Sequence, residues 1–214
     1  LIHFNTRRWF HHTFMKLKTL LKYAQCSNHI RNSLVISTAE ITRQKNTAFN
    51  KSCKISILVP LYNTPEDFLH EMIKSVQAQT YSNWELCMAD GSDENHEYVE
   101  NIAKAYATKD TRILYAKLNE NKGISENTNE CIKLSTGEYI ALFDHDDLLA
   151  KNALFEVMQV IDSQDADFIY TDEASFKKNI KDSYNMHFKP DFSPDTLRSY
   201  NYICHLSVFK RSLL

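Results

Sequence analysis

From residue 54 onward the apolar and polar positions of the chain switch regularly between two periods. Ile55-Ser56-Ile57-Leu58-Val59 is a β-branched run closed by Pro60, the pattern of a buried strand. Thr64-Pro65-Glu66-Asp67 then supplies a cap, a proline for the first helical position and acids for the first turn. Phe68, Leu69, Met72, Ile73 and Val76 follow at helical spacing, which predicts a helix to about residue 79. The unit repeats, with strands over 84–89, 112–116, 139–143 and 167–171 and helices over 94–107, 125–134 and 152–161. Such alternation implies an α/β fold: a mostly parallel sheet with helices on both faces.

Before residue 54 the pattern differs. Phe14, Leu17, Leu21 and Ala24 recur at helical spacing with Lys16, Lys18 and Lys22 around them, a short basic amphipathic helix. Residues 26–52, rich in Ser, Thr, Asn and Lys, read as a linker. The sequence therefore divides into a basic helical lead segment with its linker, 1–53, and a domain, 54–214. The net charge of −2 conceals this division: residues 1–54 hold ten Lys/Arg and one acid, Glu40, leaving 15 basic and 26 acidic residues in the remainder. A basic helix of this kind packs on a domain or makes peripheral contact with an anionic membrane face. Nucleic acid is not an expected partner, because no aromatic-interleaved basic motif or reader module is present. No apolar run reaches the roughly 18 to 20 residues of a bilayer span, and signal-peptide features are missing from the first residues. The expected compartment is the cytoplasm, with the inner face of the membrane as the alternative. The five cysteines lack any C-x-x-C pair and are expected to be buried free thiols. A start at Leu1 rather than Met is expected of a fragment or of a gene product read from an incomplete start.

In parallel sheets ligands bind beyond the carboxyl ends of the strands, so the chemistry is sought in four loops. Asp144-His145-Asp146-Asp147 follows an apolar strand and delivers three carboxylates together. Crowded carboxylates repel unless a cation compensates, and a hard divalent ion, Mg2+ or Mn2+, is the natural one. The bland alternative is a helix start, with Asp147 serving the helix dipole and His145 acting as a spacer. Asp90 ends the second strand and can accept a hydrogen bond from a base imide or a ribose hydroxyl. Asp93 either shares that task or caps the next helix. Pro60, Leu61 and Tyr62 can wall a nucleobase, with Tyr62 as a core residue the competing reading. Lys122 and Gly123, in a polar turn feeding a helix, suit an anionic ligand, or they form a solvated loop capped by Ser125. Gly137, just after a helix, is expected to be a left-handed cap.

Taken together, these stretches resemble the inverting family 2 glycosyltransferases of GT-A, Rossmann-like fold, and especially rhamnosyltransferase-like members that build bacterial surface polysaccharides. The resemblance rests on Ile57-Leu58-Val59-Pro60-Leu61-Tyr62-Asn63, Ala89-Asp90-Gly91-Ser92, Asn121-Lys122-Gly123-Ile124-Ser125, Thr136-Gly137-Glu138-Tyr139-Ile140-Ala141 and Asp144-His145-Asp146-Asp147. It continues through Tyr170-Thr171-Asp172-Glu173, Lys189-Pro190-Asp191-Phe192-Ser193-Pro194-Asp195 and Asn201-Tyr202-Ile203-Cys204-His205-Leu206. It implies a nucleoside-diphosphate sugar donor, UDP- or dTDP-linked, with its base near Pro60, Tyr62 and Asp90 and Lys122 and Gly123 beside the nucleotide. Asp144 would meet the ribose or sugar and share the metal, and Asp146 would hold the metal bridging the diphosphate. The sugar would pass, with inversion, to a glycan or lipid-linked acceptor. The resemblance also places the general base downstream of Leu214, so a donor-binding module without full activity is the alternative. Sugar nucleotidylyltransferases use a similar sheet, but they need a glycine-rich loop after the first strand, where this chain has Pro60-Leu61-Tyr62-Asn63-Thr64-Pro65.

Overall fold

The structure is a computed structural model that describes residues 35–176 and 183–214. The predicted amphipathic helix over 14–24 lies outside those residues. The chain divides into two compact units, one of residues 36–173 with 188–214, the other including 174–176 and 183–187. The second contributes most of a two-stranded sheet, β6 (Glu173–Ser175) with β7 (Tyr184–His187).

The larger unit opens with α1 (Thr38–Lys45), inside the stretch read as a linker. Its start is explained by Ser37, whose side chain accepts from the Glu40 N–H, and by Glu40 in the first turn. Gln44 of α1 is buried and accepts from the Thr80 hydroxyl at 2.7 Å, and Phe49 packs its ring against Tyr81 and Phe155. Residues 36–53 thus belong to the domain. Polar composition suggested a linker because those polar groups are satisfied by distant parts of the fold.

Next come β1 (Ile55–Leu61), α2 (Glu66–Gln77), β2 (Trp84–Asp90), α3 (Glu97–Lys109), β3 (Ile113–Lys117), α4 (Ile124–Leu134), β4 (Tyr139–Leu142), α5 (Ala153–Gln164) and β5 (Phe168–Tyr170). After β7 come α6 (Pro194–Ser199) and β8 (Ser207–Lys210). The six-stranded sheet runs β3-β2-β1-β4-β8-β5; β1 pairs parallel with β2 and β4, β2 pairs parallel with β3, and β8 runs antiparallel between β4 and β5. The mostly parallel α/β fold expected from the pattern is present. Its antiparallel member β8 was not foreseen, because Ser207-Val208-Phe209-Lys210 is too short to announce itself.

Strand β1 is buried along nearly its whole length, as a central strand covered on both faces must be. Leu69, Met72, Ile73 and Val76 form the apolar stripe of α2 on the main core. Thr64 does not cap this helix. It is buried, and Pro65 holds the cap position. Gly137 also departs from expectation: α4 ends with Ser135 extended, and Gly123 is the only glycine of the chain with a positive φ. A Cβ at Gly137 would lie 2.5 Å from Ser56 Oγ and 2.6 Å from the Lys54 carbonyl oxygen, so close backbone approach is what requires glycine there. Cys53, Cys87 and Cys131 are buried free thiols, and burial pushes Cys131 up to about 12. Among the described residues no helix is long and apolar enough to cross a membrane.

Candidate active site

Strand order makes the site. From β1 the sheet grows one way through β2 and β3 and the other way through β4, so the carboxyl ends of β1 and β4 flank a topological switch point. The Phe143 N–H donates to the Leu58 carbonyl at 3.1 Å, extending the β1–β4 ladder by one bond before the chain leaves the sheet at Asp144. On the other side of β4, Tyr139 pairs with Lys210 and Leu142 with Ser207. Two residues beyond the end of this ladder, outside the strands, come Asp144 on one side and His205 on the other.

The side chains meet accordingly. His205 Nδ1 lies 3.6 Å from Asp144 Oδ2 and 3.9 Å from Asp147 Oδ2. One ligand atom from each of the three falls within 4.8 Å of the others, and each side chain is between 40% and 44% exposed. Burial pushes the Asp147 carboxyl up; His205 opposes this, and Asp146, Asp144 and Glu173 push it further. Two carboxylates and one imidazole, crowded with too little positive charge, are a donor set that fits Mn2+, and Mg2+ through the carboxylates. Asp146 is exposed and lies outside this cluster. The acids are not a helix start: Asp144 to Asp147 form a turn, and α5 begins only at Ala153. His145 Nδ1 is buried without a hydrogen-bond partner.

Nothing local in Asn201-Tyr202-Ile203-Cys204-His205-Leu206 marks His205 as a ligand; only the fold brings it to the acids. Glu173 holds the His205 backbone, and Asp172 holds the backbone of Lys189. The His205 N–H donates to Glu173 Oε2 at 2.9 Å, and Asp172 Oδ1 accepts from the Lys189 N–H at 2.8 Å.

Around the first two strand ends, the loops are stitched together. The Asn63 N–H donates to Ser92 Oγ at 2.8 Å, Asn63 Nδ2 to Asp93 Oδ2 at 2.8 Å, and the Asp93 N–H back to Asn63 Oδ1 at 3.1 Å. Asn63 adopts a positive φ of 49°, which asparagine tolerates better than most residues. Asp93 also accepts from the Asn95 N–H and contacts His96 Nδ1 at 2.7 Å, so the capping role is present; His96, then Asn63, hold its carboxyl below the ordinary range. Pro60 is half-buried beside this frame, and Tyr62 is 47% exposed, outside the core.

Asp90 is fully buried. Its Oδ1 accepts from the Ser92 N–H at 2.8 Å, and its Oδ2 accepts from the Tyr115 hydroxyl at 2.8 Å and Lys117 Nζ at 3.1 Å. The β2–β3 register sets Lys117 directly opposite Asp90, a cross-strand ion pair. A base contacting Asp90 would have to share or displace one of these donors. Tyr115 and Lys117, two apart on β3, were missed, although their shared face was a readable signal. Lys122 is exposed and 3.4 Å from Glu120; Gly123, at φ 86°, caps α4 in the place expected for Ser125. The structure therefore brings Asp144 together with Asp147 and His205, and Asp90 with Lys117, and it leaves Lys122 and Asp146 at the surface.

Comparison with known proteins identifies relatives of the chain. The description "Glycosyl transferase family 2" matches residues 56–214. Over 161 residues, 75% of the chain, it is 45% identical to an uncharacterized protein, y4gI, of Sinorhizobium fredii, and 30% identical to the O-antigen biosynthesis protein RfbC of Myxococcus xanthus. It spans 18% and 12% of those two proteins. Among solved structures, S. aureus TarS 1-349 matches with a TM-score of 0.50 and 25% identity over 55% of this chain and 34% of that one. A mannosyltransferase, PcManGT of Pyrobaculum calidifontis, matches with a TM-score of 0.52 over 82% of this chain and 51% of its own; at 15% identity it speaks for the fold alone.

Proposed function

Since the chain belongs to glycosyl transferase family 2, as the match over residues 56–214 shows, we propose that it binds a nucleoside-diphosphate sugar at the carboxyl edge of its sheet and takes part in sugar transfer. The observation that carries this reading is the convergence of Asp144, Asp147 and His205 at the switch point between β1 and β4. A divalent cation held there would offset the charge of the departing diphosphate. The name of RfbC, an O-antigen biosynthesis protein, supports a surface-polysaccharide or lipid-linked acceptor.

The chain's own residues have separable tasks. Asp144 and His205 define two ligand positions. Two acids compete for the next: Asp147 closes the cluster, while the family resemblance assigns the metal to Asp146. Pro60 and Tyr62 offer an edge for the base, on a loop fixed by the Asn63–Asp93 exchange. Lys117 offsets the charge of the buried Asp90. Displacement at the anomeric carbon with inversion follows from the same reading. It requires the leaving diphosphate and the incoming hydroxyl to be in line.

Titration calorimetry with UDP and dTDP, each with and without Mn2+ or Mg2+, tests the proposal. Metal-dependent binding that Asp144→Asn abolishes is the expected result, and Asp146→Asn beside Asp147→Asn identifies the second acid. Absence of binding by either nucleotide to folded protein would sink the donor-site reading.

A further inference from the structure

Lys189 has an ammonium where an apolar residue would be cheaper. Its side chain is only 1% exposed, yet it makes no tight ion pair; Nζ lies 3.5 Å from Glu173 Oε2. Its nearer contacts are two successive backbone oxygens, those of Cys204 and, at 2.9 Å, of His205. Burying an ammonium is costly unless every donor is used, and here the donors are spent on the peptide units that bracket one histidine. Other groups close on the same residue. Glu173 accepts from the His205 N–H, and the Thr171 hydroxyl lies 3.3 Å from the His205 oxygen and 3.1 Å from the Leu206 N–H. The His205 backbone is thus gripped on both polar sides, although its imidazole is 44% exposed. A loop that served only to join α6 to β8 has no need of such a grip. An imidazole that must meet two carboxylates of the turn after β4 does.

We propose that Lys189 is a positioning residue that sets His205 as a ligand of the cation bound with Asp144. The inference rests on the metal-site reading above. It adds that metal affinity depends on a buried lysine that touches no ligand atom, as outer-shell groups commonly govern metal centres.

The test measures Mn2+ binding to the 214-residue chain by electron paramagnetic resonance of free Mn2+. Mn2+-induced broadening of the His205 ring signals in nuclear magnetic resonance is read alongside, with His70 as a remote reference. Lys189→Met, matched in length but uncharged, is expected to weaken Mn2+ binding about 10- to 100-fold. It should also abolish the selective broadening of His205 at Mn2+ levels that broaden it in the wild type, and leave the His70 signals in place. Lys189→Arg, which restores a cation with several donors, should recover most of the affinity. A folded Lys189→Met protein that binds Mn2+ as tightly as wild type overturns the positioning role and leaves the metal site standing. A wild-type chain that binds no Mn2+ overturns the site, and this inference with it. Should Lys189→Met fail to fold, Glu173→Gln takes its place. It keeps an acceptor for the His205 N–H but removes the charge beside Lys189; about 3- to 10-fold weaker Mn2+ binding is expected by the same reasoning, and unchanged binding counts against the proposal.

Discussion

Two acidic centres lie at opposite ends of one sheet, and they differ in how their charge is answered. At the amino end, buried Glu85 accepts from Ser56 Oγ at 2.7 Å, from the Gly137 N–H at 3.1 Å, from the Thr136 N–H and hydroxyl, and from Lys54 Nζ at 3.1 Å. Burial alone would raise its carboxyl, but these donors outweigh burial and hold it at about 2. At the carboxyl end, Asp147 has no comparable set of donors among the described residues, and burial raises it. Both are carboxylates beside a packed core. The first is satisfied by donors of the fold, whereas the second is crowded by other acids, with His205 as the opposing group. A polar group with every partner built in serves stability, whereas the crowded acids are the group on which the proposed donor site rests.

Breaking each end separately sharpens the contrast. Asp144→Asn should lower Mn2+-dependent nucleotide affinity by about 100-fold or more, the upper end of what even outer-shell changes cost, while the melting temperature of the metal-free protein stays level or rises. Calorimetry and thermal unfolding check the two halves, and a large loss of stability would mean that this end is structural too.

Glu85→Gln should do the reverse. It disrupts a buried charge network at a cost of about 3 kcal/mol in urea unfolding and leaves the metal affinity of the folded fraction unchanged. The pH dependence follows the same division. The Glu85 carboxyl is lower in the folded state than its ordinary 4.5, so its contribution is complete above about pH 4.5 and is lost as pH falls from there toward 2. Asp147 is raised in the folded state, so protonating it favours folding as pH falls through its own range, a gain that bound metal should erase. Unfolding followed from pH 6 to 2, with wild type beside Glu85→Gln, separates the two; parallel curves would refute the role given to Glu85.

Smaller effects are expected at two glycines. Gly137→Ala forces a Cβ against Ser56 and the Lys54 carbonyl, and should cost about 1 to 3 kcal/mol as overpacking does. Gly123→Ala meets nothing within 4 Å, so only its φ of 86° resists, for about 1 kcal/mol. Chemical denaturation ranks them, and a larger loss at Gly123 than at Gly137 would reverse the argument made for each.

The strand and helix order was legible because each element carries its period locally, as Ile55 to Val59 and the Leu69-Met72-Ile73-Val76 stripe do. The acid-rich turn after β4 was legible too, since three carboxylates in four residues need no partner to be noticed. Register between distant strands was not legible. Antiparallel pairing of β8 with β4 carries His205 to Asp144 across some sixty residues of sequence, and parallel pairing of β3 with β2 sets Lys117 against Asp90. Polar composition misled where its partners were remote, as with Gln44 and Thr80. The sequence by itself determined the α/β alternation, the acid-rich turn after β4 and the family kinship of the domain. Only the tertiary structure decided which acids are satisfied and which stand open. Periodicity is a property of neighbouring residues, whereas the answer to a charge depends on what the folded backbone brings within about 3 Å of it.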